Sequence, residues 1–380
     1  MPKKPAKKKA DLKVIIIVTI ASIIFGLILC ELTVRLFVHQ PKELYAYDRD
    51  TIWEYQKNAQ SYSEYESYGE KFKVEVNTNS QGFRDIEQRL DHNKPIYLAL
   101  GDSMIAGTSL PLNETITAFI RKSDPSIQII NTGVSGWSTE QELEFLESKG
   151  LSYKPTNVIL FYYIGNDITN NYDRNMLNIS EGEIKQNPRS GKDSALARRS
   201  YYFFNHNSEL FSFLNMIYHS IKNPPPSSTD KIDGDAQSVW CKSIGLEPTD
   251  ILVNRLFLKD SESNEQYDNM WDKNEELLKY MKQELDKKGI KLTVVILPSI
   301  IQTNPQVRSQ VLDCMDLQEY DVDMRKPNRE LYEMLDRNNI DYIDVTDTLS
   351  ANTDIYIEND IHYNRKGSSI VARYVEQRIG

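Results

Sequence analysis

Ile96-Tyr-Leu-Ala-Leu-Gly-Asp-Ser103 is an apolar run that breaks directly into glycine, a carboxylate and a hydroxyl. Five apolar residues without polar alternation are the pattern of a strand covered on both faces, as parallel-sheet strands are. In open α/β sheets ligands bind beyond the carboxyl ends of the strands, which is where Ser103 falls.

Outward from this stretch the same grammar recurs. Ile127–Ile130 is a second apolar run, ending at Asn131-Thr-Gly133, and Val158–Ile164 a third, ending at Gly165-Asn166-Asp167. Leu292–Leu297 is a fourth, closed by Pro298, and Ile340–Val345 a weaker fifth. Helical patterns lie between them. Thr139 with Glu142 forms a capping box, followed by Leu143, Leu146 and a terminating Gly150. Tyr267, Met270, Trp271, Leu277, Leu278, Met281 and Leu285 recur at helical spacing before Gly289, a stripe that reads as core packing. Short strands alternating with amphipathic helices predict an α/β fold with a parallel sheet covered on both faces. Ser103, Gly133 and Asn166 then converge on one edge of that sheet.

Two stretches break the pattern. Residues 31–90 form a polar, tyrosine-rich connector ending in Asn79-Ser-Gln-Gly-Phe-Arg-Asp85. Residues from about 172 to 262 carry the aromatic cluster Tyr201–Phe204 and Pro224-Pro-Pro-Ser-Ser, and read as an insertion with a mobile middle near 220–235. Such an insertion either shapes substrate choice or serves as a spacer. No internal repeat is present.

The chain of 380 residues is 40% hydrophobic and 26% charged, an ordinary globular composition. Its charge is uneven. The first 40 residues hold seven Lys/Arg against two acids, so the remainder carries a net −15 of the overall −10. An acidic body repels phosphate backbones, which argues against nucleic acid as partner. Val14 to Cys30 has only Thr19 and Ser22 as polar members and is long enough, at about 25 Å, to approach a bilayer span. With the basic cluster before it, the reading is a single-pass anchor, N-terminus cytoplasmic and the rest outside, making the lipid bilayer a partner. A cleaved signal peptide is the alternative, but no A-x-A-like site follows the apolar run. The expected organisation is a basic tail over 1–13, the anchor over 14–36, a connector over 37–94 and the main domain over 95–380. Beyond the anchor's Cys30, Cys241 and Cys314 are compatible with one disulfide or with two buried thiols. Oligomeric state is not legible.

Near the C-terminus Asp360 and His362 stand two residues apart, and the other histidines, His39, His92, His206 and His219, lack a motif. A serine hydroxyl becomes a useful nucleophile when a histidine removes its proton and a carboxylate orients that histidine. Each residue also has a structural reading. Ser103 is suited to cap a helix, Asp102 to bind loop amides, Gly133 and Asn166 to turns, and Asp360 to cap the final helix. A metal site from Asp354, Asp360 and His362 is a weak ligand set. Neither G-x-x-x-x-G-K-[ST] nor G-x-G-x-x-G occurs, so nucleotide binding has no support.

Gly101-Asp102-Ser103, Gly133, Gly165-Asn166-Asp167 and Asp360-x-His362 resemble, in order, the motif blocks of the SGNH (GDSL-type) hydrolase family. The Asn79–Arg84 segment resembles a lead-in of its membrane-anchored bacterial members. The resemblance implies a flavodoxin-like three-layer sandwich with a central five-stranded parallel sheet. It further implies Ser103 as nucleophile, His362 as base and Asp360 as its orienting acid. The Ser103 and Gly133 backbone N–H groups and the Asn166 side-chain amide would form an oxyanion hole, and no metal or organic cofactor is called for. One departure stands out. Many members space acid and base as D-x-x-H, and the position this would select is Asn359; Glu358 and Asp354 are the fallback acids. The implied activity is removal of O-acyl groups from a carbohydrate outside the cytoplasm. Transfer of the acyl group to a polysaccharide, or glycan binding without turnover, are the alternatives.

Overall fold

A computed structural model describes residues 12–38, 40, 43–67, 70–180, 183–188, 194–222, 253–259, 265–358 and 360–379. Helix α1 (Leu12–Phe37) is followed by two antiparallel hairpins, β1 (Tyr45–Asp48) with β2 (Ile52–Tyr55), and β3 (Gln60–Ser67) with β4 (Glu70–Asn77). Next come β5 (Ile96–Leu100), α2 (Ser103–Ala106), α3 (Ile116–Ser123), β6 (Gln128–Asn131), α4 (Thr139–Ser148), β7 (Asn157–Tyr163) and α5 (Asp167–Arg174). The insertion supplies a hairpin of β8 (Leu177–Ser180) and β9 (Glu183–Gln186) and two helices, α6 (Ala195–Asn207) and α7 (Glu209–Lys222). Helix Glu265–Asp286 then leads to β10 (Lys291–Leu297), helix Lys326–Arg337 to β11 (Asp341–Asp344), and helix Arg365–Ile379 closes the chain.

The central sheet is five-stranded and parallel throughout, in the order β11-β10-β7-β5-β6. Numbered along the chain this is 2-1-3-4-5, the doubly wound order whose direction of winding reverses between the first and third strands. That switch point lies here between β5 and β7. Successive strand residues face opposite sides, and both sides are covered. Leu98, Leu100, Val158, Leu160, Val294 and Ile296 pack with Leu143, Leu277, Met281 and Leu335 on one face. Ala99, Ile159, Phe161, Val295 and Leu297 pack with Ile116, Ile120, Val371 and Val375 on the other. This double cover explains the unbroken apolar runs, and each fully buried aliphatic or Phe side chain contributes about 1.5–3 kcal/mol.

Two expectations are refined. Helix α4 starts one residue earlier than its expected cap: Ser138 is the N-cap, and its N–H donates to Gln141 Oε1 at 3.3 Å. Glu142 is instead wholly buried and turned into the protein. The stretch expected as a connector contributes Ile52, Tyr55 and Phe83 to the main core, so it is packed on the sheet domain. Cys30 is a free, exposed thiol and Cys314 is disulfide-bonded; Cys241, and all of the 220–235 stretch past Lys222, lie outside the described residues.

Candidate active site

Ser103, Gly133 and Asn166 follow β5, β6 and β7, so the first and third of them flank the switch point. Ser103 opens the short helix α2, but it is not its cap. Asp102 is, accepting the Met104 N–H on Oδ1 at 2.8 Å. The other carboxylate oxygen of Asp102 accepts from Asn166 Nδ2 at 2.8 Å. One fully buried aspartate thereby ties the loop after β5 to the loop after β7. The second Nδ2 hydrogen of Asn166 is not used in that bond, and its Oδ1 is buried without a partner.

Gly133 is a position where only glycine fits. A Cβ there would lie 2.8 Å from the Ala106 backbone nitrogen and 2.9 Å from an Ile105 methyl. The Gly133 N–H donates to Asn131 Oδ1 at 3.0 Å, while Asn131 Nδ2 donates to the Ile105 carbonyl at 2.9 Å. The glycine loop is clamped from outside by Tyr55, whose hydroxyl accepts the Ser135 N–H at 2.9 Å.

Asp360 and His362 sit on the loop before the final helix. His362 Nδ1 and Asp360 Oδ1 are 2.5 Å apart, and the same oxygen accepts the His362 backbone N–H at 3.0 Å. The D-x-H spacing permits this because one carboxylate oxygen reaches both the ring and the main chain of the histidine two residues on. Asp360 does not cap the final helix; Asn364 Oδ1 does, accepting from Lys366 and Gly367. Both side chains are about a quarter exposed, at 26% and 25%. Burial pushes the Asp360 carboxyl up, but the bond from His362 and the imidazolium charge outweigh it and hold the carboxyl below its ordinary value. Burial lowers His362, but the Asp360 bond and charge, with the Asp102 charge behind them, leave it raised. His362 Nε2 is buried and makes no hydrogen bond, so a Ser103–His362 bond is not formed in this state. Catalytic bonds in unliganded sites are often open and tighten on substrate binding. The fallback acids Asp354 and Glu358 line the same cavity as Asp360, and it is Asp360 that is hydrogen-bonded to the His362 ring.

Two carboxylates of the motif blocks, Asp102 and Asp167, are joined by one the blocks did not contain, Glu142. Glu142 and Asp167 are wholly buried and neighbour Asp102. Burial, then the charge of Asp167 and of Asp102, pushes Glu142 well above its ordinary value. Burial and the Asp102 charge do the same to Asp167. Burial pushes Asp102 up as well, so all three carboxyls are shifted toward the protonated form. The lead-in before β5 also proves structural to the site. Arg84 is fully buried and donates to the carbonyls of Ala106, at 2.9 Å, and Leu110, bracing the chain just past Ser103. Asp85 accepts the Asn131 N–H at 2.9 Å and pairs with Arg121 at 2.7 Å, bracing the strand that leads to Gly133. Their sequence signal was the Asn79–Asp85 segment, which carried no chemistry of its own.

A cavity of about 680 Å³ opens beside Asp360, within the range of small-molecule sites. Asn304, Gln306, Gln310, Asn352 and Asp354 supply hydrogen-bonding groups to its wall. No group of three or more His, Cys, Asp or Glu fit to hold a metal ion occurs among the described residues.

Residues 256–380 match the family model described as an SGNH hydrolase-like domain of the acetyltransferase AlgX. A search of curated proteins found no match. Similar solved structures include a lipase/acylhydrolase from Enterococcus faecalis, 12% identical over 75% of this chain and 95% of its own, with a TM-score of 0.38. An acetylxylan esterase from Geobacillus stearothermophilus is 13% identical over 75% of this chain and 94% of its own, also at 0.38. A putative lipolytic G-D-S-L protein from Desulfitobacterium hafniense is 12% identical over 75% and 99%, at 0.36.

Proposed function

We propose that the chain is a serine acyl-transfer enzyme of the SGNH type that cleaves O-acyl esters of a carbohydrate, a reading supported by the match of residues 256–380 to an SGNH hydrolase-like domain. Ser103 Oγ attacks the ester carbonyl as His362 Nε2 takes its proton, forming a tetrahedral oxyanion. Collapse breaks the bond to the sugar oxygen, which leaves with the proton returned by His362. Water, deprotonated by the same nitrogen, then releases the acid and restores Ser103. Asp360 holds Nδ1–H, fixing the tautomer that leaves Nε2 as acceptor. The Ser103 N–H, the Gly133 N–H and the remaining Asn166 Nδ2 hydrogen are assigned to the oxyanion, a contribution of several kcal/mol from preorganised neutral donors. For Gly133 this requires exchanging or sharing its bond to Asn131.

The observation that carries this reading is the 2.5 Å Asp360–His362 pair, with the other ring nitrogen of His362 buried and unpartnered. A sugar as the alcohol is supported by the cavity's amide-rich wall. A second reading, transfer of the acyl group to a sugar hydroxyl instead of water, is favoured by the acetyltransferase in the matching family's description. We place the protein on a membrane through α1, which is long and apolar enough to span a bilayer, with the basic tail cytoplasmic and the enzyme domain outside.

The test is fluorophosphonate labelling of the full chain in detergent, with mass-spectrometric mapping, alongside aryl-acetate turnover. Labelling at Ser103, lost with turnover in Ser103→Ala, is expected. A tag elsewhere, or no turnover by the wild type, refutes the assignment. Adding a polysaccharide acceptor separates the two readings: acyl sugar accumulates only under transfer.

A further inference from the structure

Outside α1, helices α6 and α7 carry most of the large hydrophobic side chains that the fold leaves exposed among the described residues. Leu196, Phe203 and Phe204 on α6 are 77%, 58% and 49% exposed, and Leu214, Ile217 and Ile221 on α7 are 55%, 36% and 75% exposed. The α7 residues fall at i, i+3 and i+7, a single stripe along one helix face. Away from α1 and these two helices, the large hydrophobics comparably exposed among the described residues are Phe72, Ile86 and Tyr320, which are scattered. A concentrated apolar face of this kind marks an interaction surface.

The turn between α6 and α7 is fastened to α1. Glu31 accepts the Glu209 and Leu210 N–H groups at 3.0 Å and the Ser208 hydroxyl at 2.8 Å, so a carboxylate from α1 caps α7. Arg35 Nη2 donates to the Asn207 carbonyl at 2.9 Å, and Gln40 Nε2 to the Glu209 carbonyl at 2.7 Å. The height of this fastening matters. Helix α1 has 26 residues, about 39 Å at 1.5 Å per residue, against a hydrocarbon core of about 30 Å. If Val14, where the anchor begins, marks one edge, the other falls about 20 residues on, at Thr33, between Glu31 and Arg35. The polar residues holding α7 therefore lie where α1 leaves the hydrocarbon, while its apolar surface continues through Leu36 and Phe37, 70% and 78% exposed.

We infer that α6 and α7 form an interfacial hairpin whose apolar face is seated in the bilayer beside α1, a second membrane contact made by the insertion. Such amphipathic helices lie at the headgroup–acyl boundary. This rests on the anchor reading of α1, and the experiment distinguishes the two. In the full chain carrying Cys30→Ser, single cysteines introduced as Leu214→Cys and Ile221→Cys would be labelled with an environment-sensitive fluorophore. Reconstitution follows in phosphatidylcholine nanodiscs with and without a lipid bearing a shallow nitroxide. Leu36→Cys and Ile20→Cys report on α1, and Tyr320→Cys is the aqueous control. Quenching at 214 and 221 within about twofold of that at 36, with 320 unquenched, is the expected result. Quenching at 36 and burial at 20 with none at 214 and 221 overturns the hairpin while leaving the anchor. Blue-shifted but unquenched probes at 214 and 221 overturn it too, because another part of the chain or a partner would then cover the face. An aqueous probe at 20 removes the anchor and the hairpin together.

Discussion

Replacing Asp360 by asparagine removes a charge 2.5 Å from the His362 ring while keeping the side chain's shape. With charge centres roughly 4 Å apart and an effective dielectric near 20, the carboxylate stabilises the imidazolium by about 4 kcal/mol. That imidazolium forms only as Ser103 gives up its proton, so the loss falls on the barrier. At about 1.4 kcal/mol per decade, kcat should drop roughly 10²–10³-fold. A further loss follows if the new amide donates to Nδ1, because the ring proton then moves to Nε2 and blocks the acceptor. In serine proteases the corresponding change costs about 10⁴. The pH profile gives an independent readout. Asp360 holds His362 above its ordinary value, so the acid limb of kcat/KM in the wild type should lie above pH ~6.5, and Asp360→Asn should move it lower. The assay is aryl-acetate hydrolysis by the full chain in detergent from pH 5 to 9, with Asp354→Asn and Glu358→Gln expected to leave the acid limb where it is in the wild type. A fall of less than about tenfold with an unmoved acid limb would show that Asp360 is not the partner of His362.

The buried carboxyls give a stability prediction. Glu142 is raised well above its ordinary value, so the folded state holds a proton that the unfolded chain releases above about pH 4.3, and wild-type stability falls as pH rises past that point. Glu142→Gln removes this dependence, and its advantage over wild type in denaturant unfolding should be larger at pH 8 than at pH 5; an equal difference at both would refute it. Arg84→Lys keeps the charge but cannot serve both the Ala106 and Leu110 carbonyls, so unfolding free energy should fall by about 1–3 kcal/mol, with kcat reduced as α2 loosens. Gly133→Ala drives a Cβ against the Ala106 nitrogen; a cost of about 1–3 kcal/mol is expected, together with loss of turnover out of proportion to any change in KM.

The five core strands were legible because each is buried on both faces, and burial writes itself as an unbroken apolar run. Observed and expected limits differ by a few residues at most, as with Ile340–Val345 against Asp341–Asp344. The β1–β4 hairpins were not legible. Phe72-Lys-Val-Glu-Val-Asn77 on β4 does alternate apolar with polar residues, but it pairs with the largely polar Gln60–Ser67 and buries only Val74 and Val76, so the pattern is short and one-sided. The aromatic cluster Tyr201–Phe204 was visible but its place was not, since helix α6 exposes Phe203 and Phe204 rather than burying them.

By itself the amino-acid order determined the sheet, its parallel sense, and which strand ends would carry Ser103, Gly133 and Asn166, because strand period and strand-end position are local properties of the chain. Only the tertiary structure decided that Asp102 ties two of those loops together, that Arg84 and Asp85 brace them, that Glu142 lies buried among carboxyls, and that α7 is capped by Glu31. Those contacts join residues 22 to 179 positions apart. A side chain's partner at such separation is set by where the sheet order brings each loop, which no periodicity in the sequence records.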